Sequence, residues 1–303
     1  GIFLLIKGGD WLLRASVALS LRFSIPKIVI GMTVVSFATS APEMIVSVRS
    51  ALSGHPDLAI GNVVGSNIAN LGFVLAITII ISPIYVSPSF YKTDWPMMIL
   101  ASVLFYLFTA FDYQLEAYEG AILFLFLLVF IVYLIKFQKK TILDDAPQDD
   151  QALELLKTIT YLILGGFSLW LGSETLIKGA VTLAQNLGVS ERIISVSIVS
   201  VGTSIPELSA SIIAIINKQK AISLGNLIGS NIFNLLAVMG ITAMIHPIKI
   251  EDAGLLNNDI WWMFGISFLL LPMVFFIKGL KLSWIEGLIL IFLYFIFILP
   301  FFI

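Results

Sequence analysis

Apolar runs of span length follow one another along the chain, near 1–21, 27–53, 58–84, 93–111, 117–137, 155–186, 191–216, 221–247, 258–277 and 282–302, with short polar breaks between them. A helix needs about 20 such residues to cross roughly 30 Å of hydrocarbon. Stretches such as 121–135 are apolar on every side. That pattern predicts helices, because membrane barrel strands alternate apolar and polar residues. The one long polar stretch, 136–156, divides the runs into two groups of five.

The two groups repeat each other. Residues 24–84 align without a gap on 188–248, an offset of 164. S-F-A-T-S-A-P-E (36–43) falls on S-V-G-T-S-I-P-E (200–207), and G-N-V-V-G-S-N-I-A-N (61–70) on G-N-L-I-G-S-N-I-F-N (225–234). Chance apolar similarity can match Leu with Ile, but not Thr, Ser, Pro, Glu and Asn at one offset. Five spans is an odd number, so successive copies must cross in opposite senses, an arrangement of many secondary transporters with the site at the repeat interface. The expected fold is an all-α polytopic membrane protein of about ten transmembrane helices. They form two inverted five-helix repeats, 1–137 and 155–303, with kinked, discontinuous helices at the centre and a linker at 138–154.

Composition agrees with a lipid solvent. The chain of 303 residues is 59% hydrophobic and 12% charged, with mean hydropathy +1.03, where a soluble domain carries roughly 25% charged residues. Cysteine is absent, which removes thiol catalysis and thiolate metal sites. The net charge of −2 argues neither for nor against nucleic acid. The expected partner is the bilayer, with no nucleic acid and no obligate protein partner. Eleven basic residues at loops and span ends, among them Arg22, Lys92, Lys140 and Lys281, fall on one side, against Arg49, Arg192 and Lys249 on the other. The positive-inside rule then puts the central loop in the cytoplasm and both termini outside. No cleavable signal is visible. Fewer apolar residues precede Gly8-Gly9-Asp10 than precede its repeat partner Gly172-Ser173-Glu174, so about ten further residues are expected before Gly1 if the first helix is to match the sixth.

The candidate chemistry is carried by two carboxylates. Glu43 and Glu207 fall mid-way along apolar runs, where an ionisable residue is costly and normally lines an ion or substrate path. Helical spacing puts Ser36, Thr39, Ser40 and Ser47 on the face of Glu43, and Ser200, Thr203, Ser204 and Ser211 on that of Glu207. Pro42 and Pro206 are expected to kink their helices and free carbonyls near 36–38 and 200–202. Ser66 with Asn70, and Ser230 with Asn234, add oxygen one turn apart. Gly61, Gly65, Gly225 and Gly229 are expected to allow close helix approach. Asn62, Asn67, Asn226 and Asn231 are open to either a ligand or a bracing role. Asp10 with Arg14 and Glu174 with Lys178 are explained by i,i+4 ion pairs. The donor set is all oxygen, which suits Ca²⁺ or Na⁺ better than Zn²⁺ or Cu²⁺. Two carboxylates are neutralised by one Ca²⁺, so Ca²⁺ and Na⁺ would compete for one negative pair. Neither a cofactor nor a catalytic residue is expected: no nucleophile–His pairing or H-E-x-x-H supports an intramembrane hydrolase, and a channel is the other alternative.

At these motifs the sequence resembles the cation/calcium exchanger superfamily, and within it the prokaryotic sodium/calcium exchangers, over nearly the whole chain. The resemblance implies Na⁺/Ca²⁺ antiport by alternating access, with the first and sixth helices sliding on a static bundle. It implies that Glu43 and Glu207 bind both ions, with Thr39, Thr203 and the carbonyls of Ser36 and Ser200. Ser40, Ser66, Ser204 and Ser230 complete flanking Na⁺ sites, and Asn70 and Asn234 a central one. Ala38 stands where the first family motif carries glycine. Asn234 replaces the Asp of potassium-dependent relatives, which argues against K⁺ cotransport. Gly65 and Gly229 stand where proton/calcium exchangers place a Glu, leaving H⁺/Ca²⁺ exchange as the alternative coupling.

Overall fold

Apolar runs of this length leave the backbone one way to satisfy its N–H and C=O groups inside lipid, the helical ladder. The computed structural model describes residues 1–137, 153–186, 202–276 and 279–301, and those residues are overwhelmingly helical. In chain order the helices are α1 Ile2–Phe23, α2 Lys27–Thr39, α3 Ala41–Leu52, α4 Pro56–Ile81, α5 Phe90–Ala110, α6 Ala117–Phe137, α7 Leu155–Asn186, α8 Ile205–Ile216, α9 Lys220–Ile245, α10 Leu255–Phe275 and α11 Trp284–Ile298. Boundaries follow the hydropathy reading to within a few residues.

By length and composition six of the described helices can cross a membrane: α4, α5, α6, α7, α9 and α10. The bent pair α2–α3 makes a seventh. The difference from the ten expected runs has local causes. Helix α1 is long enough but carries Lys7, Asp10 and Arg14. Helices α8 and α11 are apolar but short, and most of the run expected at 191–216 before α8 lies outside the described residues.

Burial separates centre from periphery. Within their apolar windows α4 is 72% buried and α9 83%, whereas α6 and α7 are 28% buried. The core is accordingly built around Ile60, Val64, Ile68, Leu71 and Leu75 of α4 and Leu227, Ile228, Leu235 and Leu236 of α9. A smaller core joins α1 to α7 and α8 through Leu5, Leu12, Leu13, Leu169 and Ala210. There α1 and α7 meet almost backbone to backbone: a Cβ added at Gly8 would lie 2.9 Å from the Gly165 carbonyl oxygen.

Two features have no counterpart in the hydropathy pattern. Single π-helical turns interrupt the ladders at Gly31–Val35, Asn70–Leu75, Phe90–Asp94, Asn234–Val238 and Leu255–Asp259. Among the described residues four two-residue strands, β1 Ile84–Tyr85, β2 Gln114–Leu115, β3 Ile248–Lys249 and β4 Lys281–Leu282, form two antiparallel ribbons. β1 pairs with β4 and β2 with β3, so each ribbon ties one half of the chain to the other.

Candidate functional site

Proline decides the local geometry. Pro42 and Pro206 occupy the first turn of α3 and α8, where a missing N–H breaks no helical bond. In the first half α2 therefore stops at Thr39, α3 restarts at Ala41, and the two are bent by 45°. The expected kink is thus a break in the helix. It places Glu43 and Glu207 in the first turns of α3 and α8, where unpaired N–H groups and the helix dipole favour negative charge. Both side chains are 0% exposed.

Most of the other expected residues are buried as well. Ser36, Thr39, Ser40, Ser66 and Asn70 are buried, as are Ser204, Ser230 and Asn234; Thr203 is half-buried, and Ser200 lies outside the described residues. The break does not free the Ser36 carbonyl, which accepts Ser40 N–H at 2.8 Å and faces the Thr39 hydroxyl at 3.4 Å. That correction follows from the break falling after Thr39, one turn beyond Ser36. The Ser36 hydroxyl lies 2.9 Å from the carbonyl oxygens of both Gly31 and Asn226. Thr39 Oγ1 donates to Asn226 Oδ1 at 3.1 Å and lies 3.3 Å from Ser230 Oγ. Ser66 Oγ makes the matching contact with Thr203 Oγ1 at 3.2 Å. So α2 and α9 share one set of oxygens, and α4 and the chain leading into α8 share another. The close approach on the α9 side needs glycine: a Cβ at Gly229 would sit 2.5 Å from Met32 Cα. Among the described residues Gly61 and Gly65 face no such crowding.

The bracing residues also come in twins. Asn62 Nδ2 donates to Ser47 Oγ at 3.1 Å, and Asn226 Nδ2 to Ser211 Oγ at 3.3 Å. Asn67 Nδ2 donates to the Asn231 carbonyl and Asn231 Nδ2 to the Asn67 carbonyl, both at 3.1 Å. This clasp of α4 to α9 gives Asn67 and Asn231 their role, which the sequence left open. Asp10–Arg14 and Glu174–Lys178 form intrahelical ion pairs of 3.0 and 3.1 Å.

What the cluster lacks is internal satisfaction. Glu43 and Glu207 lie close enough to interact electrostatically. Thr39 and Ser230 flank the Glu207 carboxylate without closing a hydrogen bond of normal geometry. Thirteen buried side-chain polar atoms have no partner among the described residues, and nine belong to the expected set: Ser40 Oγ, Ser204 Oγ, both oxygens of Glu43 and of Glu207, both amide atoms of Asn70, and Asn234 Oδ1. Each such atom costs about 1–3 kcal/mol, more when charged; eight of the nine are oxygens, a donor set suited to a cation, while Asn70 Nδ2 can only donate a hydrogen bond. Burial of a carboxylate alone does not mark it. Glu286, equally buried, is held by Ser283 N–H and Oγ at 2.6 and 2.7 Å as a helix cap, and Glu119 by Glu116 N–H at 2.9 Å. Among the described residues no three His, Cys, Asp or Glu side chains gather, so a cation held here would take most of its ligands from neutral oxygen.

The family model described as "Sodium/calcium exchanger protein" matches residues 1–136 and 157–303. The chain is 36% identical over 298 residues to the putative antiporter CaxA of Alkalimonas amylolytica, covering 96% of this chain and 93% of that protein. It is 28% identical to the sodium/calcium exchanger MaX1 of Methanosarcina acetivorans, covering 100% and 96%. Its structure is similar to that of the sodium-calcium exchanger NCX_Mj soaked with 2.5 mM Na⁺ and 0.1 mM Ca²⁺, with a TM-score of 0.81 at 26% identity over 98% of this chain and 94% of that one.

Proposed function

The chain belongs to the sodium/calcium exchanger family, a family of membrane transporters and not of enzymes, and from that premise we propose that it exchanges Na⁺ for Ca²⁺ across the membrane by alternating access. The observation that carries the reading is the pair of buried carboxylates left without partners, together with equally unpartnered hydroxyl and amide oxygens of the same repeated motifs. Ca²⁺ takes six to eight oxygens in irregular geometry and tolerates such a mixed shell. Here Ca²⁺ and Na⁺ are substrates. Glu43 and Glu207 supply the charge, and Thr39, Thr203 and the carbonyls of Ser36 and Ser200 add neutral oxygen, that of Ser36 through the lone pair its helical bond leaves. Ser40, Ser204, Ser66 and Ser230 hold flanking Na⁺, and Asn70 and Asn234 a central ion.

The architecture proposed for this cycle is ten spans in two inverted repeats, 1–137 and 155–303, joined by a cytoplasmic linker at 138–154, with both termini outside. Reciprocal contacts at the 164-residue offset support it: the Asn67–Asn231 clasp, and the Thr39–Ser230 and Ser66–Thr203 pairs.

Coupling follows from charge. Two carboxylates are neutral with one Ca²⁺, and more than two Na⁺ leave excess positive charge, so exchange is electrogenic. Asn at 234 adds no third acid, so exchange is independent of K⁺. The test is ⁴⁵Ca²⁺ uptake into proteoliposomes under an imposed Na⁺ gradient, an imposed pH gradient, or neither, at two membrane potentials. Uptake driven by Na⁺ and sensitive to potential is expected. Uptake driven by the pH gradient alone overturns Na⁺ coupling in favour of H⁺, and unsaturable flux without a counter-ion gradient overturns exchange in favour of a channel.

A further inference from the structure

A crevice of about 740 Å³ opens on the side of the molecule, lined by residues of α2, α3, α6, α7 and α9. Its inner wall is Ala38, Ala41 and Pro42, at the break between α2 and α3; Ser40 and Glu43 lie within the same break, buried. Its level is set by its residues. Leu127 and Leu128 are midway along α6, Gly166 lies midway between Lys157 and Glu174 in the apolar part of α7 with Trp170 one turn beyond it, and the α2–α3 break is the middle of the Lys27–Leu52 pair. The mouth therefore faces acyl chains and not headgroups.

The described lining is almost wholly apolar. Among its residues Thr33 carries the one hydroxyl, spent on the Val29 carbonyl at 2.7 Å, and Trp170 adds only its indole N–H. A water needs two to four polar partners to be held in such a space. At the rim, Phe37, Ile163 and Phe167 are 57%, 63% and 54% exposed, so the crevice is continuous with the apolar belt that a membrane-spanning chain turns to lipid.

We infer that this crevice is a binding site for one acyl chain of a membrane phospholipid, inserted between α6 and α7 against the α2–α3 break. The occupant backs the wall of the carboxylate site with hydrocarbon and keeps water from reaching Ser40 and Glu43 sideways. Occupancy depends only on the chain being embedded in a bilayer and not on which ions it exchanges.

The test uses Trp170 as an internal probe. The full chain is reconstituted in phosphatidylcholine carrying bromine, a contact quencher of tryptophan, either midway along the acyl chain or next to the headgroup. Subtracting the Trp170→Phe variant from the wild type isolates Trp170 from the other five tryptophans, and the same subtraction with Trp284→Phe gives a control for an exposed ring at a helix start. Trp170 is expected to lose most of its intensity to mid-chain bromine and little to headgroup-proximal bromine. Two variants fill the crevice. At Gly166 a Cβ would lie 3.6 Å from Ala38 Cβ, an ordinary contact, so Gly166→Leu and, separately, Ala38→Leu place bulk in the crevice without forcing backbone. Either folded variant is expected to abolish most of the mid-chain quenching. The inference is overturned if Trp170 is unquenched while Trp284 responds, or if quenching survives both variants unchanged. It is also overturned if quenching falls as protein is concentrated in the bilayer, which would make a second copy of the chain the occupant.

Discussion

Asn70 and Asn234 occupy equivalent places, each opening a π-helical turn in a central helix, yet they are held differently. Asn234 Nδ2 donates to Asn67 Oδ1 at 3.0 Å. The equivalent bond would run from Asn70 Nδ2 to Asn231 Oδ1, and neither atom has a partner among the described residues. The backbones beneath them are bonded reciprocally at equal distances, so the difference is confined to one pair of side chains. An amide tied by its nitrogen presents its oxygen in a fixed direction, whereas an untied one can turn. Two halves of the same composition thus present one tied and one untied amide.

The comparison breaks most sharply at the carboxylates, where the halves should be alike. Glu43→Gln and Glu207→Gln should each lower Ca²⁺ exchange by about 100-fold or more, equivalent to roughly 3 kcal/mol of ion stabilisation, with the protein still monodisperse after solubilisation. ⁴⁵Ca²⁺ uptake checks both. A wild-type rate in either one removes that carboxylate from the site.

Next in size is the α1–α7 contact. Gly8→Ala and Gly172→Ala would each drive a Cβ to 2.9–3.0 Å from the opposite helix, against the Gly165 carbonyl and the Leu5 backbone nitrogen respectively. Overpacking of this kind costs about 1–3 kcal/mol. Thermal unfolding in detergent should show similar losses for the two. One strongly destabilised and one neutral variant would show that the halves pack differently there.

The asparagines should separate the halves. Asn234→Ala strands Asn67 Oδ1, a buried acceptor, and should cost about 1 kcal/mol more stability than Asn70→Ala, which breaks no hydrogen bond among the described residues. Equal melting losses would mean that the Asn234–Asn67 bond contributes nothing. The smallest effect belongs to Asp10→Asn. An exposed i,i+4 pair contributes about 0.3–0.5 kcal/mol, so exchange should persist near the wild-type rate, and its loss would bring Asp10 into the transport path.

Much of this molecule is legible along the chain. Long apolar runs have one backbone solution in lipid, so helix positions follow from composition, as Ala117–Phe137 illustrates. Proline at 42 marks the interruption beside Glu43, because an absent N–H is local information. The 45° bend is not local, since it depends on what α2 and α3 pack against. The ribbons are invisible for the same reason. Ile84 and Leu282 meet across about two thirds of the chain, and two residues carry no strand pattern of their own.

Residue type and spacing alone establish that this chain is membrane-embedded and internally duplicated, and that each half carries a motif glutamate with a matching set of oxygens. Which oxygens are spent on one another and which are left over depends on how the helices pack. The motifs around Asn70 and Asn234 share G-S-N-I-x-N, so nothing local distinguishes them. A hydrogen bond between Asn234 and Asn67, 167 residues apart, depends on where α4 and α9 come to rest, and that is fixed by the packing of the whole bundle.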